Sequence, residues 1–92
     1  MDLNVRLRIY GIVQGVNYRT HTRAKAEELR LSGIVRNEPD GSVYLEAEGP
    51  AEQVEKLKEW CKAGPPRAKV EKVEVEEGEM KNTTIWLIAN NS

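Results

Sequence analysis

With 92 residues the chain has room for one hydrophobic core and not for two, so it reads as a single domain over residues 1–92. Fourteen basic residues against fifteen acidic leave a net charge of -1, which excludes a global field drawing the chain to nucleic acid or an anionic membrane. The lone cysteine, Cys61, excludes an internal disulfide, a redox Cys-x-x-Cys pair and a cysteine-based zinc site; Met1 to Asn4 carries neither a basic leader nor a long apolar run, so a cytoplasmic location is expected.

Val5, Leu7 and Ile9 alternate with Arg6, Arg8 and Tyr10, which predicts a half-buried strand over Leu3–Gly11. It runs into Gly11-Ile12-Val13-Gln14-Gly15-Val16-Asn17-Tyr18-Arg19, a strand-to-helix turn that ends on an arginine. Glycines there let successive N–H groups curl around one concavity, and a helix N-terminus adds partial positive charge. The planar fork of an arginine matches phosphate oxygens two at a time. The turn is therefore a candidate phosphoryl site, although by spacing alone Gly11 and Gly15 serve equally well in an ordinary tight connection. It is neither a dinucleotide fingerprint nor a Walker loop.

Asn17 is placed to cap a helix predicted over Thr20–Leu31, whose apolar stripe of Tyr18, Thr22, Ala26 and Leu29 is narrow and suits close packing on a sheet. Ser32-Gly33 ends it, and Ile34–Asn37 begins a second strand. Glu38-Pro39-Asp40-Gly41-Ser42 is a turn by its chemistry, with proline presetting φ, aspartate bonding the local backbone and glycine free to take positive φ. Val43, Leu45 and Ala47 then alternate with Tyr44, Glu46 and Glu48, so the second and third strands form a hairpin. Pro50 at a first helical position and Glu52 in the first turn open a second helix, along which Val54, Leu57, Trp60 and Cys61 recur as core residues until Gly64-Pro65-Pro66. A strand over Ala68–Glu77 needs a bulge near Glu71-Lys72, because Ala68 and Val70 share one parity and Val73 and Val75 the other. The acidic run Glu74, Glu76, Glu77 and Glu79 reads as a solvated strand and turn rather than a metal site. Thr83–Ala89 alternates as a last strand, and Asn90-Asn91-Ser92 reads as a frayed tail.

The order is β-α-β-β-α-β with an extra strand, the pattern of an α+β, ferredoxin-like split β-α-β sandwich: an antiparallel sheet with two helices on one face. In that arrangement the loop after the first strand and the end of the second meet around one site. Modules of this fold that bind single-stranded RNA stack bases on aromatic residues of the central strands, and the chain has no phenylalanine. Nucleic acid is not expected as a partner.

Gly11 to Arg19, followed by Gly33-Ile34-Val35-Arg36-Asn37, Asp40-Gly41, Glu48-Gly49, Trp60-Cys61 and Gly64-Pro65-Pro66, resembles the acylphosphatase family over nearly the whole chain. The resemblance implies a ferredoxin-like enzyme that hydrolyses the carboxyl-phosphate bond of acyl phosphates with no cofactor and no metal. By it, Arg19 binds phosphate, backbone N–H groups over Gln14, Gly15, Val16, Asn17 and Tyr18 complete the cradle, and Asn37 orients the attacking water. His21 reads as a surface or packing residue and Thr22 at most as a support. The chain departs from the family pattern at Tyr18, where phenylalanine is usual, at Ile34 for a frequent tryptophan, and at Arg30 for a helix-ending glycine. Asn17 puts a polar side chain inside the loop, where it competes for amides that face phosphate. The implied partner is a small acyl phosphate, with no membrane and a monomeric chain. Two further readings stay open: a catalytically weak anion-binding or interaction module of the same fold, and a domain handling carbamoyl phosphate, as in the hydrogenase-maturation proteins that contain such domains.

Overall fold

The computed structural model describes residues 1–89, so the expectation for Asn90-Asn91-Ser92 lies outside the described residues. Seven elements follow in chain order: β1 (Asp2–Ile12), α1 (Tyr18–Glu28), β2 (Ser32–Asn37), β3 (Val43–Pro50), α2 (Ala51–Ala63), β4 (Lys69–Gly78) and β5 (Trp86–Ile88). The sheet order is β4-β1-β3-β2-β5. The first four strands pair antiparallel throughout, and the three-residue β5 adds to the edge of β2 in parallel, which makes the whole sheet mixed. This is the ferredoxin-like α+β fold, with both helices on one face.

Alternation decides which face is covered. Val5, Leu7 and Ile9 of β1, Val35 of β2, and Val43, Leu45 and Ala47 of β3 lie beneath Tyr18 and Ala26 of α1 and Val54, Leu57 and Cys61 of α2. Burial of this kind contributes roughly 25 cal/mol for each Å² of apolar surface removed from water. The opposite parity makes the open face, where the Arg8 and Arg36 guanidiniums lie 5.2 and 4.4 Å from the centre of the Tyr44 ring. Trp60 sits at the rim of the core rather than inside it, partly buried and tilted against Tyr18 at 5.7 Å between ring centres.

Several boundaries differ from the sequence expectations for local reasons. Helix α1 starts two residues before Thr20. It also stops before Leu31, because Arg30 takes a left-handed φ of 59° and the Leu31 N–H reaches back to the Ala26 carbonyl at 2.8 Å. Arg30 thus does the work of the missing glycine, at a cost of about 1–2 kcal/mol for an L-residue in that conformation. Pro50 stands just outside α2 as its N-cap, with ψ at 136°, instead of in its first turn. The bulge falls where parity requires it: Tyr10 pairs with Lys72 and Gly11 with Val70, which leaves Glu71 as the extra residue. Gly11, at φ 130°, makes this close approach feasible, since a Cβ there would run into the Lys69 carbonyl.

The last strand is shorter than Thr83–Ala89, and it buries Trp86 while Ile85 and Leu87 stay exposed. The stretch before it is held by a buried carboxylate that alternation alone does not reveal. Glu48 accepts from the Lys81 N–H at 2.7 Å, the Thr83 N–H at 3.0 Å and the Asn4 side-chain amide at 2.9 Å. Burial by itself would raise the Glu48 pKa, but these donors outweigh it and hold the carboxyl below its ordinary range.

Candidate active site

The loop between β1 and α1 has the geometry of an anion cradle. Gly15 and Asn17 are left-handed, at φ 74° and 62°, with Val16 at negative φ between them. Such alternation turns neighbouring N–H groups toward a common point. Among the described residues, no carbonyl or side chain accepts from the N–H groups of Gly15, Val16 or Asn17. Asn17 occupies the N-cap position of α1 but makes no side-chain cap bond, so it does not act as the capping residue that its type suggests. Asparagine tolerates the left-handed region better than most residues, and this is its local role here. No acidic residue stands in the first turn of α1, so the positive end of the helix faces the loop uncompensated.

A small cavity of about 110 Å³ lies at this point, lined by Val13, Gly15, Asn17, Tyr18, Arg19 and Thr20 from the loop and first turn, and by Asn37 from the end of β2. At ~30 Å³ per water in the liquid it matches a few waters or one tetrahedral oxyanion, not a nucleotide. Its lining holds one cation and no carboxylate. Arg19 donates through Nη1 to the Ala89 carbonyl at 2.8 Å, which fixes one end of the guanidinium; among the described residues its other donors have no hydrogen-bond partner. Asn37 is 9 % exposed and reaches the cavity from β2, across the sheet from the loop.

Of the residues expected at the site, Gly15, Asn17, Tyr18, Arg19 and Asn37 come together around the cavity; Gln14 and Val16 do not line it. Val16 packs against the core. The Gln14 side chain turns away from the cavity and donates to the carbonyls of Glu38 and Ser42, both at 2.8 Å. Tyr18 presents its backbone, since its ring is 1 % exposed and its hydroxyl donates to the Cys61 carbonyl at 2.7 Å. Burial, joined by the Cys61 contact, drives the Tyr18 hydroxyl far above its ordinary pKa. Burial also pushes the Cys61 thiol up to about 12. His21 is exposed and its Nδ1–H donates to the Asn17 carbonyl at 2.9 Å, bracing the loop from outside. Thr22 is fully buried away from the cavity, and its hydroxyl has no partner among the described residues.

Sequence reasoning passed over three contributors. Thr20 lines the cavity from the first turn of α1, a position open to many residue types. The Ala89 carbonyl meets Arg19 across 70 residues of sequence, a contact that no motif carries. Glu38 follows Asn37 directly, but its carboxylate points to the open face and pairs with Arg8 at 2.9 Å and Arg36 at 3.3 Å. Burial would raise the Glu38 pKa; the two guanidiniums lower it further than burial raises it. The acidic charge next to Asn37 in sequence is thereby paired outside the site. Among the described residues no three histidine, cysteine or carboxylate side chains come together in a way that could hold a metal ion, and no helix is long and apolar enough to cross a membrane.

Comparison with known proteins agrees with this geometry. The acylphosphatase family model matches residues 5–85. An acylphosphatase of Acaryochloris marina is 61 % identical over 69 residues, which are 75 % of this chain and 74 % of that protein. The solved structure of an acylphosphatase from Coxiella burnetii superposes with a TM-score of 0.92 at 36 % identity, covering 96 % of this chain and 93 % of that one. Full-length HypF, solved in a phosphate- and nucleotide-bound form, is similar over a segment, with a TM-score of 0.91 at 29 % identity that covers 99 % of this chain and 12 % of that one. The chain belongs to the acylphosphatase family.

Proposed function

We propose that the chain hydrolyses acyl phosphates to a carboxylate and inorganic phosphate, with Arg19 and the loop amides binding the phosphoryl group and Asn37 orienting the attacking water. The observation that carries this reading is the convergence of Arg19, a left-handed Gly15–Asn17 loop and Asn37 on one cavity of about 110 Å³.

Phosphoryl transfer depends mostly on placing the reactants in line and on stabilising charge on the equatorial oxygens. The arginine fork and the N–H groups of the loop and first turn supply that stabilisation. Asn37 has both a carbonyl oxygen and an NH₂ group, so it can accept from the water and donate to a phosphoryl oxygen, which fixes the line of attack without acting as a base. The water oxygen bonds to phosphorus as the bond from phosphorus to the carboxyl oxygen breaks. The carboxylate leaves with the bonding pair, and the water proton passes to a phosphoryl oxygen. A carboxylate is a weak base and leaves without a general acid, so neither His21 nor any carboxyl group of the chain is required. Charge stabilisation by Arg19 and amides also serves in place of a bound metal ion.

The experiment is steady-state hydrolysis of benzoyl phosphate by the wild type and Asn37→Ala, with inorganic phosphate as competitive inhibitor. Asn37→Ala should lower kcat by on the order of 10²–10³, the factor typical of one transition-state donor, with the phosphate inhibition constant nearly unchanged. Equal losses in turnover and phosphate affinity would show that Asn37 binds the anion instead of the water. Carbamoyl phosphate, which carries the same kind of anhydride bond, is the second substrate to measure in parallel.

A further inference from the structure

Strands β1 and β2 are not neighbours: β3 lies between them, and no ladder hydrogen bond joins the loop after β1 to the end of β2. Two strand spacings set them roughly 10 Å apart. Strand β3 fixes the spacing of the two strand ends, since Val43 stands opposite both Ile9 and Asn37. Its ladder with β1 stops at Ile9, so no ladder bond holds the loop that carries the phosphoryl cradle to Asn37.

Gln14 is placed to make that link. Both protons of its side-chain amide are engaged, on the carbonyls of Glu38 and Ser42 at 2.8 Å each, which frame the turn entered directly from Asn37. The turn is stiff without it. The Glu38 N–H donates to the Ser42 carbonyl at 2.8 Å, the Gly41 N–H donates to the Glu38 carbonyl at 3.1 Å, and the Asp40 carboxylate accepts from the Ser42 N–H at 2.9 Å and from its hydroxyl. On the far face, the Glu38 carboxylate is held by Arg8 and Arg36. A glycine-bearing loop outside the ladders is thus tied at one side chain to a hydrogen-bonded turn.

We propose that Gln14 is a positioning residue, which sets the distance between the bound phosphoryl group and the water on Asn37 without touching either. The proposal rests on the acyl phosphate reading given above. Displacing a reactant by about 1 Å costs on the order of 10²-fold in rate, so a tether of this kind acts on turnover while leaving the cradle itself intact.

Gln14→Met tests it, because methionine keeps the length and volume of glutamine and lacks the two donors. The Glu38 and Ser42 carbonyls retain their turn bonds, and a thermal melt verifies that the variant folds. With benzoyl phosphate, Gln14→Met should lower kcat 10- to 100-fold and change the inhibition constant of inorganic phosphate less than 3-fold. In an Asn37→Ala background the same substitution should cost less than 3-fold, since the partner to be positioned is gone. Equal costs in the two backgrounds would overturn the proposal, as would a rise in the phosphate constant that matches the fall in kcat. A second readout needs no turnover: titration of ¹⁵N-labelled protein with inorganic phosphate should shift the Asn37 side-chain amide signal in the wild type and leave it unmoved in phosphate-saturated Gln14→Met. A wild type that fails to hydrolyse benzoyl phosphate would sink the acyl phosphate reading. The titration still decides the role of Gln14, because an Asn37 signal that moves equally in both proteins contradicts it.

Discussion

Replacing Tyr18 by phenylalanine separates the part of this residue that builds the fold from the part that faces the site. In α2 the Cys61 carbonyl would ordinarily accept from the N–H four residues on, but that position is Pro65, which has none. The Tyr18 hydroxyl supplies the missing donor at 2.7 Å, from a ring that is 1 % exposed, so water cannot stand in for it. Tyr18→Phe leaves this carbonyl buried and unpaired, at a cost of about 1–3 kcal/mol. For a domain of this size each kcal/mol lowers Tm by about 4–8 °C, so a fall of roughly 4–24 °C is expected. The phenyl ring keeps its packing against Trp60. The side chain does not reach the cavity, so hydrolysis of benzoyl phosphate well below Tm should stay within about 2-fold of wild type. Calorimetry and steady-state kinetics on the same preparation check both halves. A Tm change under about 2 °C would mean that the carbonyl has another partner. A large loss of phosphate affinity in a stable variant would place the hydroxyl in the site, and either result would refute the reasoning.

Thr22→Val removes a buried hydroxyl that has no partner among the described residues and keeps the shape of the side chain, so it should raise stability by about 1 kcal/mol, read by urea denaturation. A destabilised variant would reveal a hydrogen bond to that hydroxyl. Glu48→Gln tests the anchoring of residues 81–83 through its pH dependence. The folded-state pKa of Glu48 lies below its ordinary value of 4.5, so its contribution to stability is complete above that value and is lost as pH falls through the folded pKa. The Tm gap between wild type and variant should be constant above about pH 5.5 and shrink at lower pH. A gap that persists unchanged into strong acid would show that the Glu48 charge contributes nothing.

Local chemistry made most of the fold readable. Alternation located the first three strands, helical spacing set the buried stripe of α2, and the parity change between Val70 and Val73 placed the bulge at Glu71. What stayed hidden depends on distant partners. Glu48 has the alternation of an outward residue, yet it is buried because the backbone of Lys81 and Thr83 folds over it. Arg30 ends α1 in a conformation that its side chain disfavours, a choice that only the packing of Leu31 against the core rewards. At the candidate site, the meeting of Gly15 and Arg19 beside a helix start was legible, because a glycine turn that ends on an arginine at a helix start has a residue signature. The direction of the Gln14 side chain was not, because glutamine serves a ligand or a neighbouring turn with the same amide.

The central claim is that Arg19 and the loop around it stabilise a phosphoryl group without help from a metal. Hydrolysis of benzoyl phosphate by the wild type and Arg19→Ala, with a chelator present throughout, tests this most directly. The account predicts turnover by the wild type that the chelator leaves unchanged, and a loss of at least 10²–10³ in kcat/KM for the variant, the cost of one transition-state donor or more. Wild-type turnover that the chelator abolishes, or an Arg19→Ala enzyme as fast as the wild type, would contradict it.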